Sequence, residues 1–74
     1  MEKFEEQNRI FATRLKELRI KNNLSLRELA DSVGISYQAL SYYENMKRDP
    51  SIWVVKSLAD YFKVSLGWLI GEEE

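Results

Sequence analysis

The sequence predicts an all-α domain of five short helices, and three observations predict it. Apolar residues recur at helical spacing along most of the chain, while no segment alternates apolar and polar residues as a half-buried strand would. Helix-starting serines and helix-stopping residues then divide the chain at short intervals. Finally, 74 residues give room for one domain with one small core, expected over about residues 8–71 with short acidic ends.

The first helix is expected from Phe4 or Asn8 to Asn22, with Phe4, Phe11, Leu15 and Leu18 as its apolar stripe. Asn23 stands where a left-handed cap residue is expected, a conformation Asn tolerates better than most residues. Ser25 and Glu28 form the S-x-x-E pattern of a capping box, which opens a second helix carrying Leu26, Leu29, Ala30 and Val33. Gly34 ends it, because glycine takes a positive φ without steric cost. Ile35 then plugs the angle to a third helix, which Ser36 caps and which runs from Tyr37 to about Asn45 with Ala39, Leu40 and Tyr43 on one face. A polar loop covers Met46 to Pro50. Ser51 caps a fourth helix, Ile52 to Phe62, with Val55, Leu58, Ala59 and Phe62 inward. Ser65 caps a short fifth helix with Leu66, Leu69 and Ile70, and Gly71 ends it before three glutamates.

Composition narrows the function classes. The chain has neither Cys nor His, so it has no disulfide and lacks the usual zinc ligands. There is no Gly-rich phosphate loop and no carboxylate pair on a pocket-like apolar face, which argues against an enzyme. No cofactor, metal or small-molecule substrate is expected. No stretch has the ~20 apolar residues of a membrane span, and residues 1–6 lack the apolar run of a signal peptide. A reducing cytoplasm is the expected setting, in a bacterial or phage context close to the nucleoid. The formal net charge is −1, but the acids gather at the ends: between Gln7 and Gly71, ten Lys and Arg face six acids, a balance of +4. Binding to a polyanion depends on the charge of one face rather than on the sum.

The region from Leu24 to Glu44 joins two short helices by a tight Gly-containing turn, with small residues Ala30 and Ala39 allowing a close crossing. This is helix-turn-helix geometry. The chain resembles the lambda-repressor-like, Cro/XRE-type helix-turn-helix domains over roughly Ile10 to Gly71. The resemblance is carried by RLKELR at Arg14–Arg19, LSLRELA at Leu24–Ala30, GIS at Gly34–Ser36, LSYYEN at Leu40–Asn45, P-S at Pro50, and LADYFKVSLGWLIG at Leu58–Gly71. It implies double-stranded DNA as partner, a palindromic operator, and transcriptional regulation, with repression the expected sign. It also implies that Tyr37, Gln38, Ser41 and Tyr42 on the third helix touch base edges. Chemistry agrees, since Gln pairs bidentately with adenine N6 and N7, and Ser suits several bases.

Phosphate contacts are implied at Asn45, Lys47 and Arg48 in the following loop. Further candidates are Arg27, Arg14 and the start of the third helix at Ser36. Arg19 and Glu44 match a family pair bridging the first helix to the end of the third. Three positions depart from the family pattern. Leu26 stands where a phosphate-contacting Gln is common. Met46 replaces a usual Gly, and since positive φ is costly for Met, the third helix is expected to end differently and to shift the basic loop. Trp53, like Ile20, sits where polar residues are common, and reads either as a ring laid over a neighbouring apolar patch or as a partner-binding anchor. At the C-terminal end, Leu69 and Ile70 read as finishing the core, or Trp68 with its neighbours, Ile70 among them, as a dimer contact. A homodimer has a physical motive, because two half-sites about 34–36 Å apart multiply the specificity of one short helix. The alternative reading is a protein-interaction module, or an antitoxin-type partner-binding protein, on the same fold. It rests on the near-neutral charge, Leu26 and Trp53.

Overall fold

The computed structural model describes the backbone of residues 2–73 and the side chains of residues 5–73. The side chain of Phe4, expected in the first apolar stripe, lies outside the described residues. Five helices follow in order: α1 Glu2–Lys21, α2 Leu26–Val33, α3 Tyr37–Glu44, α4 Ile52–Phe62 and α5 Leu66–Leu69. Among the described residues there is no strand. α1 starts earlier than either expected boundary. No Gly or Pro interrupts Glu2–Lys21, and Glu5 and Glu6 near its start complement the positive end of the helix dipole.

Each later helix begins on a serine whose hydroxyl accepts a backbone N–H. Ser25 accepts from Glu28, and Glu28 returns the bond to the Ser25 N–H at 2.8 Å, closing the capping box. Ser36 accepts from Ala39, Ser51 from Val54 and Ser65 from Trp68. The core is one cluster built from Phe11 and Leu15 of α1, Leu29 of α2, Leu40 and Tyr43 of α3, Val55, Leu58 and Ala59 of α4, and Leu69 of α5. Phe11 and Tyr43 meet edge to face, with ring centroids 6.3 Å apart. α3 packs against both α1 and α2, and α5 closes over α1 and α4.

The helix ends hold the main surprise. Met46 keeps the left-handed conformation at φ 59° despite its side chain. The Lys47 N–H bonds the Tyr42 carbonyl at 2.8 Å, so α3 ends in a Schellman-type turn after all. The expected shift of the basic loop is therefore corrected: backbone hydrogen bonding outweighs the strain of a non-glycine at this position. Asn23 (φ 58°) and Lys63 (φ 59°) terminate α1 and α4 in the same manner, with Leu24 bonded back to Arg19 and Val64 to Ala59. Gly34, at φ 72°, ends α2 through a single bond to the Ala30 carbonyl.

Outside the core, Gln7 and Asn8 of α1 bond Glu72 and Asp49 at 2.5 and 3.0 Å, tying the first helix to the tail and to the α3–α4 loop. Trp53 is not laid over an apolar patch: its side chain sits on the outside of α4 and is 72% exposed. Trp68 and Ile70 are half-buried and pack against the core.

The left-handed residues generate a stability test. Lys63→Gly removes the Cβ strain of φ 59° at an exposed site, and part of that gain is lost to unfolded-chain entropy. The expected net effect is about 0.5–1 kcal/mol of added stability, several degrees in Tm by calorimetry. Lys63→Ala retains the strain and should give no gain; an equal gain from both changes would place the effect elsewhere than in φ.

Candidate nucleic-acid interface

α3 is held from behind by α1. The Arg19 guanidinium forks onto Glu44 at the end of α3, with Nε to Oε2 at 2.7 Å and Nη2 to Oε1 at 3.1 Å. Its third donor, Nη1, reaches the Leu24 carbonyl at 2.8 Å, just before α2. One side chain therefore links the end of α1, the entry to α2 and the end of α3. The pair is largely out of water, with side chains 15% and 6% exposed. The hydrogen bond to Glu44 raises the Arg19 pKa above its ordinary value, burial opposes this, and the Glu44 charge adds to it.

The opposite face of α3 carries the candidate readers. Residues 37, 41 and 45 form one i, i+4 row, and residues 38 and 42 form the row beside it. Tyr37 is 46% exposed and Gln38 is also exposed, while Ser41 and Tyr42 are half-buried. Gln38 donates its amide N–H to the Tyr42 hydroxyl at 3.3 Å. The Asn45 amide bonds the Ser41 carbonyl at 2.8 Å and so caps the end of the helix.

Cations stand at both ends of this face. The Arg27 guanidinium lies 4.6 Å from the centre of the Tyr37 ring, and that of Arg48 lies 5.2 Å from the Tyr42 ring. Arg27 and Tyr37 line a shallow cleft with Ala30, Asp31, Gly34, Ile35 and Ser36 at the α2–α3 turn. Lys47 is exposed on the loop between α3 and α4. The structure thus gathers Arg27, Ser36, Tyr37, Gln38, Ser41, Tyr42, Asn45, Lys47 and Arg48 around one short helix.

Arg14 is placed elsewhere. Its guanidinium stacks over Trp68 at 4.4 Å from the ring centre and donates to the Trp68 carbonyl, which places it at the α1–α5 junction. A pair 54 residues apart leaves no local signal for this in the sequence. The Gln38–Tyr42 bond had one, the i, i+4 spacing of a donor and an acceptor on a helix. Leu26, in place of a phosphate-contacting Gln, packs against the core. Among the described residues, no group of His, Cys, Asp and Glu could hold a metal ion, and no helix is long and apolar enough to cross a membrane.

Comparison with known proteins adds independent findings. The helix-turn-helix family profile matches residues 15–69, from the middle of α1 to the end of α5. The chain is 41% identical over 61 residues to the HTH-type transcriptional regulator AnsR of Bacillus subtilis, covering 82% of this chain and 53% of that protein. It is 36% identical over 61 residues to the HTH-type transcriptional regulator ImmR of the same organism, covering 82% of this chain and 48% of that protein. It is 25% identical over 65 residues to the cryptic phage CTXphi transcriptional repressor RstR of Vibrio cholerae, covering 88% of this chain and 59% of that protein. The chain thus spans about half the length of these curated relatives. No solved structure gives a significant match.

The Arg19–Glu44 fork generates the second prediction. Arg19→Ala leaves Glu44 buried without its partner, and ~3–5 kcal/mol of stability should be lost. That corresponds to a fall in the urea midpoint on the order of 2 M. Arg19→Lys supplies the charge but not the planar fork, so it should recover little of the loss. A wild-type midpoint for Arg19→Lys would reduce the pair to a point-charge contact.

Proposed function

The chain belongs to the helix-turn-helix family, a family of DNA-binding transcription regulators rather than enzymes, and from that premise we propose that it reads the major groove of double-stranded DNA with α3 and represses transcription there. The observation that carries the proposal is the face of α3. Four side chains with base-reading chemistry project from one short helix that the Arg19–Glu44 fork holds in a set orientation, with a cation at either end.

In this reading Gln38 pairs with the N6 and N7 edge of an adenine, and Ser41 bonds a neighbouring base. Tyr37 contributes its ring to a thymine methyl or its hydroxyl to a phosphate. Lys47 and Arg48 neutralise phosphates on one flank and Arg27 on the other. Asn45 and the exposed N–H groups at the starts of α2 and α3, including that of Ser36, add short-range contacts to the backbone. Two acids of the tail are engaged elsewhere: Glu72 with Gln7, and Glu73 with Ser65. Repression requires only that the bound domain occupy promoter DNA. The relative RstR is named a repressor.

A homodimer on a palindromic operator extends the same reading. The domain is 32 Å in its longest dimension, and successive major grooves on one side of the duplex lie about 34–36 Å apart. Two copies side by side therefore fit two half-sites. Trp53, the most exposed large apolar side chain among the described residues, together with half-buried Trp68 and Ile70, supplies apolar surface for the contact.

Selection of random duplex DNA by the purified protein, followed by titration of the enriched sequences at two salt concentrations, tests the proposal. Enrichment of paired half-sites one helical turn apart is the expected result. Gln38→Ala should then cost ~1–3 kcal/mol on the selected site and relax preference at one base pair. Lys47→Ala should weaken all sequences alike and reduce the salt slope by about one. Equal losses from both changes on every sequence would show that α3 does not read bases.

A further inference from the structure

We propose that Tyr42 is a positioning residue for Gln38: its hydroxyl holds the glutamine amide in one place on the face of α3, ready to pair with adenine. The inference rests on the reading of α3 as a base-contacting helix, and it assigns Tyr42 a task other than touching DNA itself.

The geometry is local. The Tyr42 oxygen accepts one N–H of the Gln38 amide at 3.3 Å, one helical turn away. A glutamine amide has two N–H bonds and one carbonyl. With one N–H directed at Tyr42, the remaining edge of the amide presents a carbonyl beside an N–H. That edge complements adenine, whose N6 donates and whose N7 accepts. A tyrosine hydroxyl both accepts and donates, so what the contact fixes is the place of the amide on the helix face. A free glutamine samples other rotamers, so its selectivity depends on what holds it.

Tyr42 is itself held. The Arg48 guanidinium covers its ring at 5.2 Å from the centre, and the side chain is half-buried. Tyr43, its neighbour in the chain, is buried against Phe11, which fixes the rotation of this turn of α3. The loop cation therefore steadies the ring, and the hydroxyl of that ring steadies the reader. A residue proposed to contact phosphate is in this way linked through one aromatic ring to a residue proposed to contact a base.

Tyr42→Phe separates the two tasks, because it keeps the ring beneath Arg48 and removes only the hydroxyl. The test is a set of binding titrations with wild type, Tyr42→Phe, Gln38→Ala and the double variant. The probes are the duplex enriched by the wild type and its three single-base variants at the pair where Gln38→Ala loses preference. Tyr42→Phe should reduce the preference for adenine at that pair by roughly fivefold or more. In the Gln38→Ala background the same change should alter base preference no further. Unchanged preference in Tyr42→Phe overturns the positioning role and leaves the reading of α3 intact. A uniform loss on all four duplexes likewise overturns it, by making the hydroxyl a phosphate or structural contact. If the wild type enriches no sequence, base reading by α3 falls first and the role of Tyr42 falls with it.

Discussion

The orientation of α3 depends on one guanidinium. α3 has eight residues and buries only Leu40 and Tyr43, which is little apolar area with which to fix its rotation or tilt. The Arg19 fork adds what apolar contact lacks, directionality, since two parallel N–H···O bonds to Glu44 tolerate little rotation. A third bond to the Leu24 carbonyl brings the entry of α2 into the same arrangement. Buried ion pairs seldom stabilise a fold more than apolar residues of equal size would, because desolvation offsets much of the Coulomb attraction. The value of this one lies in geometry. A raised arginine pKa adds stability that is complete below the unfolded-state value and lost only as pH climbs through the folded-state value. Both values lie far into the alkaline range, so the Arg19 charge stays in place throughout the pH range in which the domain would meet DNA.

The chain reversals carry the same economy of parts into the candidate interface. α3 ends in a left-handed Met46, and the turn that stops the helix also launches Lys47 and Arg48. Arg48 then folds back onto Tyr42, while at the other end Arg27 of α2 stacks on Tyr37. Each cation is steadied by an aromatic side chain of the helix it flanks. Ordering these long side chains before a ligand arrives lowers the entropy that binding must otherwise remove. Between α1 and α5 the same kind of contact has a structural result, with Arg14 over Trp68 docking α5 onto α1.

The number and order of the helices were legible because their causes are local. Ser25, Ser36, Ser51 and Ser65 each need only a backbone N–H three residues on, and Gly34 needs only its own freedom in φ. The apolar stripes likewise name the core residues, since helical periodicity and burial report the same face. Met46 departs from the sequence expectation for an informative reason. The expectation rests on one residue's φ alone, whereas the backbone hydrogen bonds of the turn span six residues, Tyr42 to Lys47. The start of α1 was placed too late because the absence of a breaker leaves no mark of its own.

The sequence by itself determined the five helices, the helix-turn-helix unit and the identity of the side chains that α3 can offer, because caps, turns and periodicity act within a few residues. Only the tertiary structure decided which long or bulky side chains of the other helices stand beside α3. Arg14 and Arg27 have the same chemistry, yet one is spent on Trp68 and the other faces Tyr37 at the edge of α3. Trp53 and Trp68 diverge in the same way, one exposed and one packed against the core. The reason is physical: the direction of a long or bulky side chain is set by whatever the packed helices bring beside it, and that neighbour can stand 54 residues away in the chain.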